Sequence, residues 1–124
     1  VFSSLIEKAF EKKENLHPII RKSTNYINNN YAEDITLDSI SKVANVSSVY
    51  LSRLFKRELG ITFVQYLTRV RVEKSKRLIS CGNNKIADIA KSVGYIDEKY
   101  FYRVFKKMMG MSPSEFKKMV KTQS

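Results

Sequence analysis

Arg53 and Arg103 lie fifty residues apart in two segments of similar sequence, and their side chains have the most specific chemistry in this chain. A guanidinium can donate two parallel hydrogen bonds to guanine O6 and N7, which is the commonest specific contact between a protein and a DNA base. Each arginine is followed three residues later by a lysine, Lys56 or Lys106. An ammonium group at that distance along a helix can reach a phosphate. The two segments are therefore candidates for contact with nucleic acid.

The similarity between the two segments extends along most of their length. Identical or similar residues occupy eight of fourteen positions at a spacing of 50. The pairs are Ser47 with Asp97, Tyr50 with Tyr100, Leu51 with Phe101, Arg53 with Arg103, Leu54 with Val104, Phe55 with Phe105, Lys56 with Lys106 and Gly60 with Gly110. In each segment the apolar members recur at helical spacing, which predicts an amphipathic helix with a polar opposite face.

The polar face of each predicted helix carries the residue types that a helix in a major groove requires. Short or bidentate side chains are needed in its first half, and cations further along can reach phosphates. The predicted base contacts are Val49, which suits a thymine methyl group, and Ser52, Arg53, Glu98, Lys99, Tyr102 and Arg103. The predicted phosphate contacts are Ser48, Lys56, Arg57, Lys76, Lys106 and Lys107, for which a plain solvated surface is the alternative.

Five other side chains each have a structural interpretation and an interpretation as a contact with DNA. Ser47 and Asp97 stand at helix starts, where capping alone accounts for their type and position. Tyr50 and Tyr100 either form the edge of the core or bond phosphate through their hydroxyl groups. Arg71 either faces phosphate or is a structural ion-pairing residue.

Both segments are preceded by a shorter helix and a tight turn, which is the helix-turn-helix pattern. Residues 40–45 match residues 89–94 at a spacing of 49, so the second turn is one residue longer. Asn45 and Gly94 are the residue types that best adopt the left-handed backbone of such a turn.

Each repeated helix ends with the same local signals. Gly60 and Gly110 stand where the end of a helix needs a positive φ. Two residues later a capping box begins, at residues 62–65 in the first copy and at residues 112–115 in the second. Both helices are therefore predicted to end at a glycine and to be followed directly by another helix.

These elements predict an all-α fold with about seven helices, in which a long connecting helix joins two helix-turn-helix subdomains and a linker helix precedes them. Only four Gly and two Pro interrupt the helical spacing. The expected divisions are a linker helix from a preceding domain at residues 1–16, a first subdomain at 17–62, a connecting helix at 63–80 and a second subdomain at 81–124. Because no initiator Met is present, we expect the chain to begin inside a longer protein.

Charge is distributed unevenly along the 124 residues, whose formal net charge is +11. The first 34 residues are neutral overall, whereas residues 35–124 hold 18 basic and 7 acidic side chains. A positive field of this size attracts polyanions, and nucleic acid is the commonest specific partner of a small basic domain. A well-solvated basic protein without such a partner is the alternative.

The composition leaves little room for catalysis or metal binding. With one Cys and one His the chain can form no internal disulfide, and it cannot supply the three or four ligands of a usual zinc site. His17 and Cys81 are predicted to be structural, and no phosphate-binding glycine loop or mechanistic carboxylate pair is present. No apolar run approaches the ~18 residues of a membrane span. We therefore expect a cytoplasmic protein that is not an enzyme and that uses no cofactor, metal or membrane.

Two other functions compete with DNA binding, an RNA-binding helical domain and a protein-interaction module such as a dimerisation adaptor. The repeated helix-turn-helix favours DNA, because the major groove of A-form RNA is too narrow to admit a helix. An adaptor would expose apolar faces in place of Arg and Lys.

The chain resembles the DNA-binding domain of the AraC/XylS family of bacterial transcription regulators over about residues 18–120. The first copy carries the resemblance in Val46-Ser47 and Tyr50-Leu51-Ser52-Arg53-Leu54-Phe55-Lys56. The second copy carries it in Ile89-Ala90, Val93-Gly94-Tyr95, Asp97, Tyr100-Phe101, Arg103, Phe105-Lys106-Lys107, Gly110 and Ser112-Pro113. Departures are Asn45 for the usual turn Gly, Ser75 for the usual Ala and Tyr102 for a smaller residue.

The resemblance implies a seven-helix fold with two helix-turn-helix subdomains bridged by a long helix. It also implies that one chain binds double-stranded DNA at an asymmetric site, with both recognition helices in adjacent major-groove segments. Members of the family carry a separate sensory or receiver domain, usually upstream, and many are activators that contact RNA polymerase.

Overall fold

The computed structural model describes residues 16–82 and 84–123, and within these ranges it has seven α-helices and no strand. The predicted all-α class and the two helix-turn-helix pairs, Leu37–Ala44 with Ser48–Leu59 and Ile86–Ser92 with Glu98–Met109, are confirmed for these residues. The linker helix predicted at residues 1–16 lies outside them, apart from Leu16. The helices are α1 (Pro18–Asn30), α2 (Leu37–Ala44), α3 (Ser48–Leu59), α4 (Phe63–Ser80), α5 (Ile86–Ser92), α6 (Glu98–Met109) and α7 (Pro113–Gln123).

The described residues form two compact units, and the division falls inside α4. The first unit holds residues 16–30 and Ile35–Leu67, which include α1, α2, α3 and the start of α4. The second unit holds Tyr31–Asp34 and residues 68–123, which include the rest of α4 with α5, α6 and α7. The helix predicted as a separate connector therefore contributes to both units.

The first unit is organised around apolar side chains of its three complete helices. Ile20 and Ile27 of α1, Ile40 of α2, and Leu51 and Phe55 of α3 have no exposed surface. Burying a side chain of this size stabilises a fold by about 1.5–3 kcal/mol relative to leaving it exposed. The apolar stripe predicted for α3 is therefore the face that packs on α1 and α2.

The start of α4 completes this core with aromatic contacts. The rings of Phe63 and Tyr66 each have their centroid 6.1 Å from that of Phe55 and meet it edge to face. The Tyr66 hydroxyl is 3.3 Å from Asn28 Oδ1, and burial raises the pKa of Tyr66 to about 12. The phenol is therefore a neutral hydrogen-bonding group that ties α4 to α1.

The second unit has its own core, built mainly from α5, α6 and the later part of α4. Val72, Val93, Phe101 and Phe105 have no exposed surface, and the ring of Phe116 on α7 packs 5.7 Å from that of Phe105. Core packing of this kind fixes the rotation of α6 about its axis, because its two buried phenylalanines lie on one face.

Turn and cap geometry follows the predicted signals in both units. Asn45 has φ 60° and Gly94 has φ 107° in the two helix-turn-helix turns, and Gly60 and Gly110 end α3 and α6 with φ 75° and 78°. The capping boxes at residues 62–65 and 112–115 both form, each with two reciprocal hydrogen bonds of 2.9–3.1 Å. Thr36 caps the start of α2 and forms a third box with Ser39.

Two further findings concern the described part of the chain as a whole. In residues 16–82 and 84–123, every buried side-chain nitrogen or oxygen has a hydrogen-bond partner. Over the same ranges, none of the helices combines the length and the apolar character needed to cross a membrane.

Candidate nucleic-acid interface

Helix α3 presents the predicted face of the first copy to solvent. Its start is fixed by Ser47, whose Oγ accepts a hydrogen bond of 3.1 Å from the Tyr50 backbone N–H. Capping is the structural one of the two interpretations of Ser47. Opposite the buried stripe, the exposed side chains include a large apolar one, Val49 at 62%, and the polar Ser52, Arg53, Lys56 and Arg57.

Ser48 differs from the other residues of this face because its hydroxyl group is used within the protein. It is half-buried, its Oγ donates a short hydrogen bond to Oδ1 of Asp38, and it lies 3.3 Å from Oγ of Ser41. These contacts join α2 to α3. Since a phosphate oxygen can only accept, only the backbone N–H of Ser48, in the first turn of α3, is available to it.

Helix α6 presents the predicted face of the second copy. Its start is capped by Asp97, whose Oδ1 accepts a hydrogen bond of 3.0 Å from the Lys99 backbone N–H. Capping is thus the structural role of Asp97, as of Ser47. The side chains predicted to contact DNA from this helix, Tyr102 apart, are exposed, namely Glu98, Lys99, Arg103, Lys106 and Lys107.

Tyr102 is the member of this set that the fold holds most closely. It is half-buried, its ring meets that of Phe101 edge to face at 6.4 Å, and its hydroxyl is 2.8 Å from Oγ of Ser114. Ser114 belongs to the first turn of α7. Any contact of Tyr102 with a base would therefore use the exposed part of the ring or exchange the hydroxyl partner.

Tyr100 lies beside Arg103 on the same helix. The Arg103 Cζ is 5.9 Å from the Tyr100 ring centroid, and the Tyr100 ring is in turn 5.8 Å from that of Tyr95. Tyr100 is 45% exposed. Tyr95 is buried, and this burial raises the pKa of the Tyr95 hydroxyl. One of the two interpretations of Tyr100, the edge of the core, agrees with these contacts.

Arg71 has a structural role, with partners that the sequence did not suggest. Its Nε donates to the Tyr31 carbonyl at 2.8 Å and its Nη2 donates to the Glu33 carbonyl at 2.9 Å. Its guanidinium also lies 5.2 Å from the centroid of the Tyr95 ring. A Cβ at Gly94 would come within 2.9 Å of Arg71 Cζ. Arg71 therefore binds backbone carbonyls, in place of the ion pair that its structural interpretation predicted.

Lys76, the predicted phosphate contact on α4, has a carboxylate close to it. Its Nζ is 3.4 Å from Glu73 Oε1, and the same oxygen lies 2.9 Å from Arg69 Nη1. A neighbouring carboxylate offsets part of the attraction between Lys76 and a phosphate. Among the described cations of α3 and α6, Arg57 lies 3.7 Å from Glu58, and Lys106 interacts electrostatically with Glu115.

The two residues considered for catalysis lie at the ends of helices. His17 Nδ1 accepts from the Ile19 backbone N–H at 3.1 Å, and the His17 backbone N–H donates to Glu58 at 3.0 Å, so both contacts fix the start of α1. Cys81 is exposed at the end of α4. Among the described residues, no three His, Cys, Asp or Glu side chains cluster closely enough to hold a metal ion.

The structure thus gathers the predicted residues on two faces, one on α3 in the first unit and one on α6 in the second, with Lys76 apart on α4. Sequence reasoning missed Asp38 and the partners of Arg71 and Tyr102. Asp38 had one usable signal, a carboxylate in the first turn of the helix before Ser48. The carbonyls of Tyr31 and Glu33 had none, because every residue carries a carbonyl group.

Comparison with known proteins adds an independent finding. Residues 40–119 match the family model described as a helix-turn-helix domain. The chain is 38% identical over 100 residues to the bifunctional transcriptional activator/DNA repair enzyme AdaA of Bacillus subtilis, a match covering 81% of this chain and 47% of that protein. It is 36% identical over 109 residues to the arabinose operon regulatory protein of Escherichia coli, covering 84% of this chain and 37% of that protein.

A solved structure supports the same relationship. The C-terminal domain of AraT, a response regulator from Geobacillus stearothermophilus, superposes with a TM-score of 0.82 at 42% sequence identity. The match covers 85% of this chain and 88% of that one. By contrast, the chain spans less than half the length of AdaA or of the arabinose regulator.

Proposed function

Because the chain belongs to the AraC/XylS family of helix-turn-helix DNA-binding domains of transcription regulators, we propose that α3 and α6 are its two recognition helices, each entering a major groove of double-stranded DNA. The observation that carries this assignment is the repeated exposed face. Arg53 and Arg103 occupy equivalent positions on helices whose opposite sides are buried and whose starts are capped. A rigidly held helix of this kind can place a guanidinium at a base edge.

The residues of the two faces have different proposed roles. Those in the first half of each helix contact bases, namely Val49, Ser52, Arg53, Glu98, Lys99, Tyr102 and Arg103. The charged residues that contact phosphates are Lys56, Arg57, Lys76, Lys106 and Lys107, and Ser48 contributes its backbone N–H. Phosphate contacts orient a protein on the duplex, and base contacts select the sequence.

The two competing functions fit these faces less well. A-form RNA offers no major groove wide enough for α3 or α6. A dimerisation adaptor buries apolar side chains at its interface, whereas the exposed face of α6 holds Glu98, Lys99, Arg103, Lys106 and Lys107.

For the whole protein we propose a cytoplasmic transcription activator with an additional sensory or receiver domain and with RNA polymerase as a partner. The support is that AdaA is named an activator, AraT is named a response regulator, and the chain spans less than half of AdaA. We assign no catalysis, cofactor or membrane contact to the present domain. Open-complex formation by purified RNA polymerase on a promoter carrying the selected site should rise when the full-length protein is added, and a fall would identify a repressor.

The recognition helices are tested by selecting bound sites from random duplex DNA and then measuring the affinity of variants. The selected sites should contain two elements about one helical turn apart. Arg53→Ala and Arg103→Ala should each cost about 1–3 kcal/mol at the selected site and relax the preference at particular base pairs. Lys56→Ala should weaken binding to all sequences alike, because a phosphate contact carries no sequence information.

Lys22→Ala is a matched control, because Lys22 is exposed and lies on α1, which is not one of the two recognition helices. It should change affinity less than Lys56→Ala does. If Arg53→Ala and Arg103→Ala both preserved affinity and sequence preference, the assignment of α3 and α6 as recognition helices would be wrong.

A further inference from the structure

The Arg103 guanidinium has an aromatic neighbour on its own helix. Its Cζ lies over the Tyr100 ring, 5.9 Å from the centroid, and the two residues are three positions apart on α6. Residues at this spacing face each other on a helix surface. A cation above an aromatic face is attracted by the negative charge of the ring, and the attraction limits the directions in which a long side chain can point.

The Tyr100 ring is itself held in place from behind. Its centroid is 5.8 Å from that of Tyr95, which is only 6% exposed. Tyr95 in turn packs on Phe101 at 5.5 Å and lies under the Arg71 guanidinium. Arg71 is held by hydrogen bonds to two backbone carbonyls. Successive side-chain contacts lead from Arg71 through Tyr95 and Tyr100 to the exposed Arg103.

The first copy has the same residue pair without the same contact. Tyr50 and Arg53 are also three positions apart, and Tyr50 is 42% exposed against 45% for Tyr100. Within the described part of the chain, the cation–ring contacts are those of Arg71 with Tyr95, Lys74 with Tyr31 and Arg103 with Tyr100. Tyr95 lies in the turn before α6. The corresponding turn before α3 is one residue shorter and carries no aromatic residue.

We propose that Tyr100 is a positioning residue, which orients the Arg103 guanidinium for base recognition through its ring. Without such a contact an exposed arginine samples many rotamers, and ordering them on binding lowers affinity for the correct base. The Tyr100 ring reduces the cost of ordering Arg103 only for the orientation of Arg103 that the ring favours. Tyr100 therefore increases discrimination between base pairs, and it does so more than Tyr50 does for Arg53. This inference rests on the proposed role of Arg103 as a base contact.

A measurement on the free protein tests the positioning itself. In the NMR spectrum, the Nε–Hε proton of Arg103 should be displaced to higher field by the Tyr100 ring. Tyr100→Phe, which preserves the ring, should retain the displacement, and Tyr100→Leu should remove it. An Arg103 resonance that is the same in the wild type and in Tyr100→Leu would overturn the proposal, whatever the DNA measurements give.

A second measurement tests the consequence for recognition. The ratio of affinities for the selected site and for a site changed at the base pair assigned to Arg103 should fall about two- to fivefold in Tyr100→Leu, which corresponds to the ~0.5–1 kcal/mol of an exposed cation–ring contact. Tyr100→Phe should keep the wild-type ratio. In an Arg103→Ala background, Tyr100→Leu should leave the ratio unchanged. Tyr50→Leu is the matched control and should leave the ratio at the Arg53 base pair unchanged.

The contrary outcomes separate this inference from the proposed function. If Arg103→Ala leaves the ratio unchanged, base recognition by Arg103 is wrong and the role of Tyr100 falls with it. If Arg103→Ala lowers the ratio but Tyr100→Leu does not, the positioning role alone is wrong. Equal losses in Tyr100→Phe and Tyr100→Leu would assign the effect to the hydroxyl group, and an equal loss of affinity for every sequence would assign it to helix stability. Both results would overturn the proposal.

Discussion

Gly94 is required by two separate features of its surroundings. Its φ of 107° lies in the region that residues with a Cβ rarely adopt, and the Arg71 guanidinium occupies the space that a Cβ would need. Arg71 cannot move aside freely, because it is hydrogen-bonded to the Tyr31 and Glu33 carbonyls. The turn before α6 therefore depends on a contact with α4 as well as on its own backbone conformation.

Gly94→Ala should lower the free energy of unfolding of the second unit by about 2–4 kcal/mol, the sum of backbone strain and weakened hydrogen bonds to a charged group. Gly110→Ala is the matched control, because Gly110 has φ 78° but a Cβ added there would meet no obstructing atom of the described residues within 4 Å. It should cost only about 1–2 kcal/mol, the backbone strain alone. Urea unfolding followed by circular dichroism measures both.

The contribution of Arg71 can be separated by a double-mutant cycle. In an Arg71→Ala background the additional cost of Gly94→Ala should fall close to that of Gly110→Ala, because the obstructing guanidinium is gone. An unchanged cost in both backgrounds would show that the backbone conformation alone requires the glycine.

At the scale of the element, the capping box at the start of α7 has a titratable member that its counterpart on α4 lacks. Glu115 accepts a hydrogen bond of 3.0 Å from the Ser112 backbone N–H, and Gln65 accepts one of 2.9 Å from the Thr62 backbone N–H. The backbone hydrogen bond from Ser112, followed by the Ser112 hydroxyl, lowers the pKa of Glu115 below its ordinary value of 4.5. The carboxylate form is therefore favoured by folding.

A carboxyl group with a lowered pKa in the folded state stabilises the fold above its ordinary pKa, and this contribution is lost as the pH falls through the lowered value. Glu115→Gln should therefore lower the melting temperature at pH 7, and the difference from the wild type should shrink below pH 4.5. Melting curves recorded between pH 7 and about pH 3 measure this. Gln65→Glu is the converse variant and should introduce the same pH dependence on α4. A difference that stayed constant or widened in acid would contradict the role of the carboxylate.

The extent to which the elements could be predicted from the sequence depends on how local their causes are. The helix ends followed from Gly60, Gly110 and two capping boxes, because these signals act within four residues of the chain. The pairing of α2 with α3 and of α5 with α6 followed from the repeat. The boundary between the two units within α4 did not, because contact between side chains distant in sequence decides which part of a helix joins which core.

The candidate site shows the same distinction. Helical periodicity predicted the exposure of four cations, because the apolar residues of each helix lie on the opposite, buried face. These cations are Arg53, Lys56, Arg103 and Lys106. The hydrogen bond of Ser48 to Asp38 and that of Tyr102 to Ser114 join different helices, and the angle between two helices is set by the whole core. These contacts changed what Ser48 can offer a phosphate and how far Tyr102 can move.

For the whole molecule, the net charge of +11 predicts binding that weakens steeply with salt, because each neutralised phosphate releases condensed counterions. The proposed phosphate contacts include five cations: Lys56, Arg57, Lys76, Lys106 and Lys107. Five such contacts give a slope of log K against log salt of about −4.5. Lys76 should contribute less than Lys106, because the Lys76 Nζ is 3.4 Å from the Glu73 carboxylate, which remains beside Lys76 when the protein binds DNA.

Lys106→Ala should therefore make the slope less negative by about 0.9, the value for one phosphate contact. Lys76→Ala should change it by less, and Glu73→Gln should increase both the affinity and the steepness, because it frees Lys76 and leaves the formal charge more positive. Titrations at a series of KCl concentrations measure all three slopes on one selected duplex. Equal changes of slope in Lys106→Ala and Lys76→Ala would mean that Lys76 exchanges Glu73 for a phosphate at no cost. An unchanged slope in Lys106→Ala would show that Lys106 does not contact a phosphate.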